Sequence, residues 1–156
     1  MTGPRDMSDA QFDRLAWLER IGYAGPTTPT LETLNALIYA HAHSISYETL
    51  DIMLGRFPAL DTQSLHNKMI AGGRGGNCFE QNMLFRAGLR SLGYEITSLQ
   101  GRVVRGLAID APRPAIHMLL KIELPGRQLS GGCRLRQSRA DLCAFARAAR
   151  RARDTA

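Results

Sequence analysis

The chain has 156 residues, with 20 Lys and Arg against 14 Asp and Glu and 44% hydrophobic residues. That length suits one ordinary domain with a core of its own, and without an apolar run of about 18 residues it offers no transmembrane helix. Three cysteines (Cys78, Cys133 and Cys143) without metal spacing, a Cys-x-x-Cys pair or a signal-peptide pattern lead to the expectation of a reducing, cytoplasmic setting and no bound metal.

In chain order, Ser8-Asp9-Ala10-Gln11 reads as a capping box. The helix behind it would carry Phe12, Leu15, Ala16 and Leu18 as its apolar stripe and stop at Gly22. Thr28 and Pro29 are the expected N-cap and first-turn proline of a second helix, with Leu31, Leu34, Leu37, Ile38 and His41 at helical spacing. His41 and His43 stand two residues apart and do not share a helical face, so both read as structural or surface histidines instead of metal ligands. Asp61 is the expected cap of a helix carrying Leu65 and Met69, with His66 on its polar side. Strands are expected from about residue 94, and Ala111-Pro112-Arg113-Pro114 is a loop that cannot pair inside a sheet.

Between these elements lies Arg74-Gly75-Gly76-Asn77-Cys78-Phe79-Glu80-Gln81-Asn82, a glycine turn that delivers a cysteine to a helix start. Leu84, Gly88 and Leu92 follow at helical spacing, with Gly93 as the stop. Gly75 and Gly76 permit positive φ and keep side chains away from the thiol. Unsatisfied N–H groups and the helix dipole at such a start favour an anion, hence the thiolate that attacks carbonyl carbon. Gly72-Gly73-Arg74-Gly75-Gly76 lacks the lysine and Ser/Thr of a phosphate loop.

His117 lies in a segment where Ile116, Met118, Leu120, Ile122 and Leu124 alternate, the pattern of a strand with one buried face. His117 is on the other face with Leu119, Lys121 and Glu123. A thiol at a helix start and an imidazole on a later strand form the pair used in thiol acyl transfer, the imidazole taking and returning the proton. Spacing alone favours a half-exposed strand histidine over that pair.

Arg74 through Asn82 matches every fixed position of Arg-Gly-Gly-x-Cys-Phe-Glu-x-Asn, and the chain resembles the arylamine N-acetyltransferases, whose hallmark this is. His43 to Leu50 is similar to the family segment ending Pro-Phe-Glu-Asn-Leu, with Ser46, Tyr47 and Thr49 in place of Pro, Phe and Asn. Asp51 to Arg56 and Gly101-Arg102-Val103 continue the likeness, which runs from about Leu15 to Gly126. The resemblance implies an α+β fold: an N-terminal helical bundle followed by the opening strands of a truncated β-barrel, in a cysteine-proteinase-like arrangement. It implies Cys78 as nucleophile, His117 as base, acetyl-CoA as co-substrate and an arylamine or arylhydrazine as acceptor. Arg74, Glu80 and Asn82 are expected to support the loop, Arg74 by pairing with a carboxylate such as Glu48, and Phe79 to pack in the core. Another Cys/His thiol enzyme, or a dead remnant without a partner, are the alternatives.

The likeness breaks near Leu129. An Asp about fifteen residues after the base normally orients it, within a segment like Leu-Val-Asp-Val-Gly-Phe-Gly, whereas no aspartate follows His117 before Asp141. One permitted set of codons for Ser130 to Gln137, read one nucleotide later, gives Leu-Val-Asp-Ala-Gly-Phe-Gly. Residues 127–156 hold 8 Arg, no Lys and 2 Asp, which is the whole net charge of +6, while residues 1–126 balance at 12 and 12. The expected organisation is therefore a helical region at 1–92, a partial β region at 93–128 and an Arg/Ala-rich, out-of-frame tail at 129–156. The charge gives no ground for a nucleic-acid or membrane partner of the main body. The strand of His117, robbed of neighbours, is expected to be left as an unpaired edge.

Overall fold

A computed structural model describes residues 12–101, 114, 116–124, 127–131 and 146–147. The expected capping box at 8–11, Arg102 and Val103, the proline loop at 111–113, Cys133, Asp141 and Cys143 lie outside them.

Helices come first. Asp13 caps α1 (Arg14–Arg20), its carboxylate accepting from the N–H groups of Leu15 and Ala16. The helix starts later than Ser8 suggested, and the buried face shifts to Trp17, Leu18 and Ile21, leaving Leu15 exposed. Gly22, at φ 66°, ends it in the left-handed region that costs glycine least. Thr30, not Thr28, caps α2 (Leu31–Ser44) by accepting from Thr33 N–H. Leu34, Leu37, Ile38 and His41 face inward as their spacing required. A single short turn, α3 (Leu50–Met53), follows. Asp61 caps α4 (Thr62–Leu65), which runs on as a π-helix (His66–Ala71). Leu65 and Met69 are buried as expected.

The longest packing surface belongs to α5 (Cys78–Ser91), which presents Leu84, Phe85, Ala87, Gly88 and Leu89 to the core. Gly88 lets Trp17 lie against the helix, because a Cβ there would stand 2.7 Å from the indole ring. Burial of each large side chain in this cluster contributes about 1.5–3 kcal/mol. No helix among the described residues is long and apolar enough to cross a membrane.

The sheet has the order β1 (Glu95–Gly101), β2 (His117–Leu124), β3 (Arg127–Gly131) and β4 (Ala146–Arg147), each antiparallel to the next. Met118, Leu120 and Ile122 of β2 are buried against α5, with Ile96 of β1 beside them. The expectation that the strand of His117 is an unpaired edge is corrected. Residues 95–101 pair along one side of β2 and 127–131 along the other, so both neighbours come from nearby sequence. The fold is α+β, and the sheet runs without a break across residue 128.

Candidate active site

Cys78 occupies the first position of α5, directly after the N-cap Asn77. Asn77 and Glu80 form a full capping box. The Asn77 side-chain oxygen accepts from the N–H groups of Phe79 (2.8 Å) and Glu80 (3.2 Å), and Glu80 Oε2 accepts from Asn77 N–H (2.9 Å). The Asn-x-x-Glu spacing carries this signal in the sequence, although the expectation for Glu80 was only loop support. One consequence corrects the picture of a helix start with free donors: the N–H groups of Phe79 and Glu80 are already engaged. The glycines act differently from expectation as well. Positive φ falls on Gly73, at 63°, and not on Gly75 or Gly76. Those two are glycine because other groups come close. A Cβ on Gly75 would run into the backbone of Ser46, and one on Gly76 would meet Glu80 and Met69.

The close approach is a parallel β-bridge between Tyr47 and Gly76. Gly76 N–H donates to Ser46 C=O and Glu48 N–H donates to Gly76 C=O, both at 3.1 Å. An ion network locks the same two segments. Arg74 Nη2 lies 2.6 Å from Glu48 Oε1 and 3.0 Å from Asp51 Oδ2, and Lys68 Nζ lies 2.7 Å from both Asp51 Oδ2 and Glu80 Oε1. The Arg74–Glu48 pair was expected; Lys68 and Asp51 were not. The lysine and arginine hold the Asp51 carboxyl below its ordinary range. Burial works to lower the Lys68 pKa, but Asp51 and Glu80 outweigh it and raise it. Glu80 is buried with both oxygens occupied, which is what a buried carboxylate requires.

Arg20 supports the loop from behind. Its guanidinium donates to three carbonyl oxygens, those of Met69 (2.9 Å), Ser44 (2.8 Å) and Gly73 (3.0 Å). No local pattern marks such a role, since the three acceptors are backbone atoms distant in sequence. His41 is buried: Trp17 Nε1–H donates to its Nδ1 (3.2 Å) and its Nε2 stands 3.0 Å from Gln81 Oε1. With Nδ1 accepting, the hydrogen sits on Nε2 and the ring is neutral. Burial lowers its pKa to about 4 against a smaller upward pull from Gln81. His43 is exposed and bonds the Tyr39 carbonyl (2.8 Å). Both are structural or surface groups, and no set of three or more His, Cys, Asp or Glu among the described residues could hold a metal.

Helix and strand meet at the site. Cys78 Sγ stands 4.0 Å from the carbonyl oxygen of Ile116, the residue before His117. Asn82, fully buried, uses its amide to donate to Cys78 C=O (2.8 Å) and to Met118 C=O (3.0 Å), tying the start of α5 to the start of β2. His117 is buried, not half-exposed, and burial lowers its pKa, which favours the neutral imidazole. Its ring finds no hydrogen-bond partner among the described residues. Phe79 is partly buried and packs against the core.

Residues 30–129 match the family model for N-acetyltransferase. The arylamine N-acetyltransferase of Mycobacterium tuberculosis is 43% identical over 126 residues, covering 80% of this chain and 44% of that protein. The Escherichia coli enzyme of the same name is 42% identical over 108 residues, covering 69% and 38%. Among solved structures, Nocardia farcinica arylamine N-acetyltransferase superposes with a TM-score of 0.73 at 39% identity, over 83% of this chain and 46% of that one. The Mycobacterium marinum enzyme in complex with CoA gives 0.70 at 37% identity, over 77% and 45%. The chain thus spans less than half the length of the relatives it matches. From the Arg74–Asn82 signature through the helix-to-strand contact to these matches, the chain belongs to the arylamine N-acetyltransferase family.

Proposed function

We propose that this chain carries the acyl-accepting site of an arylamine N-acetyltransferase. Cys78 attacks the carbonyl carbon of acetyl-CoA, CoA leaves as its thiol, and the resulting thioester is attacked by the amine of an arylamine or arylhydrazine. His117 takes the thiol proton in the first half and removes one from the amine in the second. The observation that carries this reading is the joining of α5 and β2: Cys78 Sγ approaches the Ile116 carbonyl while Asn82 grips Cys78 and Met118 together. The named relatives supply the chemistry by family, and the M. marinum protein binds CoA.

On this reading the four strands are the opening of the family's β-barrel and the whole a cysteine-proteinase-like arrangement. The units are residues 1–92, 93–128 and a tail from 129. An imidazole without an orienting carboxylate keeps its place less well and gains less from its charged form. Loss of the orienting Asp in serine-protease triads costs about 10⁴ in turnover, and it sets the scale for slow transfer here. The test is incubation with acetyl-CoA followed by peptide mass spectrometry. An acetyl adduct on Cys78, absent in Cys78→Ala, is expected. An adduct on Cys133 or Cys143 with Cys78 bare would overturn the assignment, and no adduct at all would leave the chain a remnant.

A further inference from the structure

A thioester-forming site must stabilise the oxygen that becomes negative when the thiol attacks, and preorganised donors are the usual means. Of the donors nearest Cys78 in sequence, only its own N–H is without a partner among the described residues, and the others are taken. Phe79 and Glu80 N–H bond the Asn77 side chain, and Gln81 N–H bonds the Asn77 carbonyl (2.9 Å). A second donor to stand beside the Cys78 N–H is offered across the β-bridge.

Tyr47 sits there. Its neighbours Ser46 and Glu48 are hydrogen-bonded to Gly76, two residues before Cys78, so its backbone is fixed relative to the nucleophile. Gly75 and Gly76 have no side chains that could come between. The ring is 44% exposed, and its hydroxyl has no hydrogen-bond partner among the described residues. The related family segment has phenylalanine at this place, so the hydroxyl is a departure of this chain.

We propose that Tyr47 is a catalytic residue of the Cys78 site, its phenolic O–H donating a hydrogen bond to the acyl oxygen as that oxygen takes up negative charge. This rests on the thioester reading above. Desolvation, and with it the charge that Cys78 would carry as a thiolate, raises the Tyr47 pKa, so the phenol stays protonated as a donor. The electrons balance as follows for an activated ester such as 4-nitrophenyl acetate. The Cys78 sulfur bonds the carbonyl carbon, its proton passes to His117, and the carbonyl π pair moves onto oxygen, where Tyr47 donates. Collapse restores the carbonyl, expels 4-nitrophenolate and leaves the thioester. The phenol keeps its proton throughout.

The experiment compares two reactions at the same sulfur in the full chain and in Tyr47→Phe. Acylation by 4-nitrophenyl acetate, read as the nitrophenolate burst, passes through the oxyanion. Alkylation by iodoacetamide displaces iodide at a saturated carbon and does not. Tyr47→Phe is expected to slow acylation about 10-fold or more while alkylation of Cys78 stays within about twofold. Phenylalanine keeps the ring, and circular dichroism confirms the fold of the variant. Unchanged acylation, or a parallel fall in both reactions, overturns the proposal. If the unsubstituted chain is alkylated at Cys78 yet never acylated, the thioester reading falls and this one with it.

Discussion

His41 shows how much one buried polar residue can be worth. It lies between Trp17 and Gln81, neutral, with a pKa of about 4 against an ordinary value near 6.5. The unfolded chain therefore binds a proton on this residue between those two values that the folded chain refuses. The stability this contributes is complete above pH 6.5 and is lost as the pH falls towards 4, by about 3 kcal/mol in all. Urea unfolding at pH 7.5 and 4.5 is expected to show a drop that shrinks by most of that amount in His41→Gln. An equal drop in both proteins would show that other groups carry it. Of the residues around the site, Arg74 with Glu48 was legible because an arginine that braces a loop needs a carboxylate, and the segment ahead of the signature, His43 to Leu50, offers Glu48 alone. Asn77 was legible in principle from its spacing to Glu80. Arg20 was not, for its acceptors are carbonyl oxygens that every residue has.

At the scale of elements, α5 was readable from end to end: glycines before it, helical spacing within it, Gly93 (φ 90°) after it. The starts of α1 and α2 were misplaced by a few residues because Ser, Thr and Asp abound there, and packing of Trp17 and Leu34 chooses among the candidate caps. The π-helix left no trace, since Leu65 and Met69 at four-residue spacing suit either helix. Gly88 offers a test of how tightly α5 fits α1. Alanine would gain up to about 1 kcal/mol of helix propensity, but its Cβ would meet three rigid indole atoms at 2.7 Å. Overpacking typically costs about 1–3 kcal/mol, so the steric cost prevails. Gly88→Ala is expected to lower the urea midpoint, by about 1 kcal/mol of unfolding free energy. A more stable variant would mean that the Trp17 ring moves aside freely.

For the molecule as a whole, the helical core and the paired strands β1 to β3 are built before residue 132, and the family match ends at Leu129. Beyond it, β4 adds two residue pairs, Leu129 with Arg147 and Ser130 with Ala146. Deleting residues 132–156 is expected to leave the far-ultraviolet melting temperature within about 3 °C of the full chain, a change worth roughly 1 kcal/mol. A larger fall would make the Arg/Ala-rich segment part of the fold and count against its being read out of frame. The helices and first strands were legible because their apolar periodicity is local. The pairing of β2 on both sides was not, because the alternation of its residues says which face is buried and nothing about which strands lie beside it.

Arg20 has a consequence in time. Its three acceptors lie 24, 49 and 53 residues away along the chain. Closing the longer of these loops costs less than 1 kcal/mol more than closing the shortest, since the entropy grows only with the logarithm of length. Length therefore does not decide which grip forms first. Geometry does, because one planar guanidinium can meet all three oxygens only after the end of α2, the π-helix and the turn at Gly73 have converged. The local helices can form within microseconds, and the loop that holds Cys78 waits for the slowest of these arrivals. The arginine's threefold grip thus closes only once those elements have met, however early each forms alone.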